Sequence, residues 1–250
     1  MQFLRVAFSA ALLLGIPGAA QTTKVRVLAS NGVKAAMEEL RPECERAIGR
    51  PVALQFSSTA ALKKRIDAGE AFDVAILTSE ATDDLVKAGK IAAPSRAVLG
   101  RSELGIGMGA GAPKRDIHDA AALKHALLGA HSITYPQDGA TRGFIEKMFE
   151  RMGVAAEIKP KILLAPSSVA ATESVAAGKA DFVITLFSEI VPVHGVEILG
   201  ALPGEFQDHV TFVAAASTTA NEAAKAKALV DFLAGPKTAS VFKAKGIERR

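Results

Sequence analysis

From position 24 onward, short apolar or β-branched runs alternate with longer stretches in which apolar residues recur every three or four positions. VRVLAS (25–30) has the pattern of a strand buried on both faces. Asn31 and Gly32 then turn the chain, and 33–48 carries helical spacing up to Gly49, the residue type that ends helices in a left-handed conformation. VALQFSS (52–58) is the next strand. Ser58 or Thr59 caps a helix of about nine residues closed by Gly69, and FDVAIL (72–77) returns as a third strand. This alternation predicts an α/β fold built largely on parallel strands.

A similar passage occurs about 110 residues later. Pro166, Ser167 and Ser168 open a helix through Ala177, Gly178 closes it, and DFVITL (181–186) follows. The stretches IDAGEAFDVAIL and VAAGKADFVITL resemble each other, which suggests two lobes of one topology, although the same grammar is common to unrelated βαβ units. LGIGMG (104–109) and HVTFVAAA (209–216) have the character of strands crossing between lobes and are assigned as a hinge pair. The expected division is 22–99 plus 211–250 for the first lobe and 105–203 for the second, with helices over 221–233 and 236–245 packing back on the first.

Composition narrows the class. With 250 residues, 49% hydrophobic and 22% charged, the chain can bury a substantial core. Residues 1–20 place Arg5 before an apolar run over 6–16 and the small residues Gly18, Ala19 and Ala20, the layout of a signal peptide; the run is shorter than the roughly 20 residues a spanning helix needs. The expected location is therefore the periplasm, after export across the inner membrane. The single Cys44 has no intramolecular disulfide partner and is read as a small apolar residue inside an early helix. A formal charge of +4, no Trp and scattered basic residues give no platform for nucleic acid.

Four strand-to-helix junctions are the candidate chemistry: Ser30-Asn31-Gly32, Ser57-Ser58-Thr59, the segment 138–143 with Thr141 and Arg142, and Pro166-Ser167-Ser168-Val169. At the carboxyl ends of parallel strands, helix N-termini aim free N–H groups and a partial positive charge at a ligand, and small hydroxyl or glycine residues let an anion approach. Each junction alone is also explained as an ordinary helix cap. Arg142 offers either a guanidinium fork for a carboxylate or an i,i+4 ion pair with Glu146. Common enzyme signatures such as HExxH, GxSxG and the phosphate-binding GxxxxGK[ST] are missing, and the five histidines are scattered. His118 and His125 on one helix face are read as a solvated pair rather than a metal site. No catalytic residue, metal or cofactor is assigned.

The blocks VRVLASNGVKAAMEEL, FSSTAALKKRIDAGEAFDVAILTSEATDDLVKAGKI, LGRSELGIGM, ILLAPSSVAATESVAAGKADFVITLFSEI and FLAGPKTASVFKAKGI resemble, in order and spacing, the periplasmic molybdate-binding proteins among the ABC-importer solute-binding proteins. The resemblance implies a two-lobed type II periplasmic binding fold, each lobe a mixed, mostly parallel sheet flanked by helices, with two hinge crossovers. It implies capture of a small tetrahedral oxyanion by neutral donors, as a monomer that hands its ligand to an ABC permease. Carried over, the ligand-binding positions are Ser30, Asn31, Gly32, Ser58, Thr59, Thr141, Arg142, Ser168, Val169 and Thr185. Three positions depart from the family: Gly32 stands where a serine is usual, the segment 185–187 has no tyrosine, and Arg142 replaces a small residue. These departures make an organic carboxylate a competitor to molybdate as ligand. A periplasmic enzyme on the same scaffold is the rival from another class; it requires an acid–base pair in the cleft, for which Glu189 beside Ser188 is the nearest candidate.

Overall fold

The computed structural model describes residues 24–249, so the signal-peptide assignment for 1–20 lies outside the described residues. The alternation read from sequence continues along the chain. Its first third comprises β1 (Val25–Ser30), α1 (Lys34–Ile48), β2 (Val52–Ser57), α2 (Thr59–Asp67), β3 (Val74–Thr78) and α3 (Ser79–Lys87). A long strand β4 (Ala97–Gly109) leads to α4 (Ala120–Leu128), β5 (Ile133–Pro136), α5 (Arg142–Arg151), α6 (Ala155–Ile158) and β6 (Ile162–Ala165). Then follow α7 (Ser168–Ala176), β7 (Phe182–Leu186), α8 (Phe187–Ile190), β8 (Val196–Ala201), β9 (His209–Ala216), α9 (Ala223–Ala234) and α10 (Ala239–Ala244).

The strands form one mixed sheet in the order β2-β1-β3-β9-β4-β7-β5-β6, with β8 also paired to β4. At one end β1 runs parallel to β2 and β3; at the other β5 runs parallel to β6 and β7. The antiparallel strands β9 and β4 lie between. β4 pairs β9 over Ala97 to Glu103 and then pairs β7 and β8 over Leu104 to Gly109, so a single strand belongs to both halves. The apolar run 104–109 is thus the second part of a strand that begins seven residues earlier at Ala97, while 209–216 coincides with β9.

Local reasons for these elements are visible in the packing. In α1, Met37, Leu40, Cys44 and Ile48 recur on one face and are fully buried, and α9 and α10 pack against that helix. Burying side chains of this kind contributes roughly 1.5–3 kcal/mol each for the larger ones. Cys44 is one of them: burial pushes its thiol up to about 12, so it stays neutral and unreactive at physiological pH. Ser58 caps α2, its Oγ accepting from the Ala61 N–H at 3.2 Å, and Ser167 caps α7 by accepting from Ala170 at 3.1 Å. Among the described residues no helix is long and apolar enough to cross a membrane.

Candidate ligand-binding site between the two halves of the sheet

The carboxyl ends of the parallel strands from both halves face a common cavity of about 160 Å³. From one half come Ser30 and Asn31 after β1, Ser57, Ser58 and Thr59 after β2, and Thr78 after β3. From the other come the loop 138–141 after β5, Pro166, Ser167 and Ser168 after β6, and Leu186 and Glu189 after β7. Val210 and Phe212 of β9 close the apolar side. The N-termini of α2, α3, α5 and α7 therefore converge on one space, which gives it a positive potential from backbone dipoles alone.

The hydroxyls divide into two kinds. Ser58, Ser167 and Thr78 already accept backbone N–H groups as caps, which leaves each O–H proton free to donate. Thr59 Oγ1 and Thr141 Oγ1 are buried without any hydrogen-bond partner, although their residues are only 8% and 3% exposed. Such orphaned hydroxyls cost roughly 1–3 kcal/mol each unless something else satisfies them, and they line the cavity from opposite halves. Thr141 sits at the N-cap position of α5 but makes no side-chain cap bond, so its hydroxyl is uncommitted.

Among the described residues no Lys, Arg or His lines this cavity, and the charged residues that line it are Asp138 and Glu189. Asp138 is exposed. Glu189 accepts a hydrogen bond from Thr185 Oγ1 and lies within bonding reach of Ser168. It is partly exposed through the cavity and through an adjoining groove of about 610 Å³, yet protein surrounds its carboxyl, and that burial raises the carboxyl above its ordinary value against the pull of those donors. Sequence reasoning placed Glu189 only among rival enzyme features. It did not include Thr78, Ser167 or Phe212, which line the cavity, among the ligand-binding positions.

Of the ten positions carried over by resemblance, Ser30, Asn31, Ser58, Thr59, Thr141 and Ser168 come together in the cavity wall. Gly32, Arg142, Val169 and Thr185 do not line it. At Gly32 a Cβ would stand 2.3 Å from Phe212 Cζ, so the aromatic ring occupies the space where a serine side chain would reach. Val169 faces the adjoining groove. Thr185 acts through Glu189. Arg142 binds Glu146 Oε1 through Nε at 2.9 Å and the Gln137 carbonyl through Nη1 at 2.8 Å, the ion-pair alternative. Glu146 also bonds the buried Tyr135, whose phenol is raised mainly by burial. Phe187, in the segment without tyrosine, turns its ring onto Gly105, where a Cβ would meet it at 2.1 Å. His118 binds Asp116 and Asp119 in a loop before α4, whereas His125 lies on α4 itself.

The model of the family described as bacterial extracellular solute-binding protein matches residues 25–248. An aconitate isomerase from Pseudomonas sp is 28% identical over 97% of this chain and 95% of its own length. The molybdate-binding protein ModA of Azotobacter vinelandii is 27% identical, covering 91% of each chain. A solved periplasmic molybdate-binding protein from Azotobacter vinelandii superposes with a TM-score of 0.76 at 19% identity, over 90% of this chain and 99% of that one. The chain belongs to the bacterial extracellular solute-binding protein family and has the type II periplasmic binding fold.

Proposed function

We propose that this protein captures a small organic polycarboxylate between its two halves and delivers it, as a periplasmic monomer, to an ABC permease. The lobes are 22–99 with 211–250 and 105–203, closing about β4 and β9. The observation that carries the ligand class is the mixed character of the cavity wall: unpartnered hydroxyls and helix N-termini for carboxylate oxygens, together with Leu186, Val210 and Phe212 and the acid Glu189. A compact tetrahedral dianion presents oxygen on every side and gains nothing from an apolar wall. A carbon skeleton bearing several carboxylates uses the wall as well as the donors. The site needs no guanidinium, since Arg142 is engaged with Glu146.

A thermal-shift titration tests this reading with citrate, cis-aconitate and trans-aconitate against molybdate, tungstate, sulfate and phosphate. A ligand that binds only the folded state adds about 2.7 kcal/mol at a hundredfold excess over Kd. The carboxylates are expected to raise the melting temperature; a shift with molybdate or tungstate alone overturns the carboxylate class.

Turnover is a second reading, favoured by one feature, the burial-shifted Glu189 in the cavity, and supported by the relative named aconitate isomerase. A carboxyl whose proton burial holds more tightly than usual is suited to passing a proton between carbons of an unsaturated acid. Chromatography of cis-aconitate incubated with the mature chain separates the readings: steady appearance of trans-aconitate establishes an enzyme, and an unchanged substrate leaves a binding protein.

A further inference from the structure

The cavity is arranged for an anion by its helix N-termini, yet its lining contains no basic side chain and two acidic ones. Asp138 is exposed and can be solvated beside a bound ligand. Glu189 cannot. It is fixed by Thr185 from β7 and approached by Ser168 from α7, and Thr172 Oγ1 anchors its backbone carbonyl at 3.1 Å. An anion brought beside an ionised Glu189 would meet a like charge across protein of low dielectric, with no cation among the lining residues to offset it.

We propose that Glu189 enters the complex as a neutral carboxylic acid that donates a hydrogen bond to the ligand, so that capture of the anion takes up one proton. The inference rests on the anion-binding reading of the same cavity. The proton supplies the positive charge that a guanidinium would otherwise contribute, and the site thereby holds a polyanion tightly at low pH and loosens as pH rises. Burial of Glu189 in the empty protein already shifts its carboxyl in the direction of the protonated form.

The surroundings of Glu189 do not offer another group for this role. Lys34 and Glu38 of α1 line the adjoining groove and lie 3.9 Å apart as an ion pair; Glu173 of α7 and His194, which follows α8, line the same groove. None of these charges is among the causes that displace the Glu189 carboxyl; burial dominates. On the packed strands, β7 presents the uncharged Thr185, β4 presents Ser102, which accepts the Ser188 N–H at 3.0 Å, and Glu197 of β8 is exposed.

The test is titration calorimetry of the mature chain with trans-aconitate from pH 5.5 to 8.5, each pH repeated in buffers of different ionisation enthalpy. Wild type is expected to take up close to one proton at the upper end, its affinity falling by up to roughly tenfold per pH unit there. E189Q mimics the neutral acid and subtracts the ligand's own protons: it is expected to lose the slope and to bind more tightly than wild type at pH 8.5. E189A, which lacks a donor, is expected to bind weakly throughout. Wild-type binding without proton uptake, or a wild-type slope retained in E189Q, overturns the proposal. If trans-aconitate does not bind and molybdate does, the carboxylate reading fails and the same proton count is made with molybdate, uptake supporting the role of Glu189 and no uptake overturning it. Failure of both probes at every pH removes the binding reading itself and this inference with it.

Discussion

The two halves of the molecule run through the same passage of chain and end it differently. In the first, β3 finishes on Thr78, whose Oγ1 caps the nine-residue helix α3, and the half-buried Ser79 and exposed Glu80 are its first two residues. In the second, β7 finishes on Leu186 with no side-chain cap, and Phe187 takes the first helical position, so Ser188-Glu189 come one place later in a helix only four residues long. The uncapped turn, with Phe187 set against Gly105, carries its acid into the cavity, where Glu189 meets Thr185 and Ser168. Glu80 remains in solvent, beside the dipole of a helix N-terminus that favours it. One dipeptide, Ser-Glu, is therefore a helix-start charge in one half and a cavity-facing acid in the other, and the difference lies in the cap, the helical position and the helix length.

The largest expected effect breaks that comparison directly. Replacing Glu189 by Ala should weaken ligand binding by about 1–3 kcal/mol, the cost of losing a buried hydrogen-bond partner, which is roughly five- to 150-fold in Kd. Replacing Glu80 by Ala should leave affinity unchanged and stability within about 0.5 kcal/mol. Calorimetry on the two variants reads both numbers; equal losses would mean that the halves use their acids alike.

Next in size are the two orphaned hydroxyls. Thr59→Val and Thr141→Val each remove a donor that has no partner in the empty protein, so each is expected to lower affinity by about 1 kcal/mol, roughly fivefold, with no loss of melting temperature. The cap Ser167 carries stability as well: Ser167→Ala is expected to cost about 1 kcal/mol of stability, since the Ala170 N–H loses its acceptor. Thr59 and Thr141 belong to opposite halves, so similar losses are the signature of one ligand gripped from both sides. A loss at Thr59 alone would place the ligand on the first half only.

Much of the fold was legible because its determinants are local. Period and punctuation delimit β1, α1, β2 and α2 within a residue or two, and Gly49 adopts the left-handed φ of 63° that its position predicts. β4 was recognised only in its later part, because the earlier part alternates buried and half-exposed positions around Gly100, where the pairing with β9 slips. The junction hydroxyls were readable for the same local reasons. Glu189 was not, since its burial depends on where an uncapped turn points, and Gly32 looked like a lost serine until Phe212, 180 positions along the chain, was seen to fill the space. Arg142 satisfied two local rules at once, and only the positions of Gln137 and Glu146 decide between them.

The contrast between the acids also has a pH signature that needs no ligand. Burial keeps the Glu189 proton on the folded protein to higher pH than on the unfolded chain, so between the ordinary carboxylate value of 4.5 and the raised folded value the folded state binds more protons. Stability must then fall as pH rises through that window, because the unfolded state is the one favoured by ionisation. Glu189→Gln removes the term. The variant is expected to match wild type at pH 4 and to melt higher above the window. A variant profile parallel to wild type would show that burial does not hold the Glu189 proton.

The smallest expected effect concerns Arg142, the residue that a carboxylate site would most naturally recruit. Its Nε holds Glu146 on the next turn of α5 with both side chains about 40% exposed, and an exposed i,i+4 pair is worth only about 0.3–0.5 kcal/mol. Its Nη1 holds the Gln137 carbonyl just ahead of the loop that presents Thr141. Arg142→Ala should therefore lower stability by a few tenths of a kcal/mol and change affinity for a carboxylate by less than about threefold, through small loosening of that loop. A tenfold or greater loss would mean that Arg142 leaves Glu146 and swings into the cavity when the halves close. The site would then hold a cation after all, and Glu189 would have no need to bring a proton.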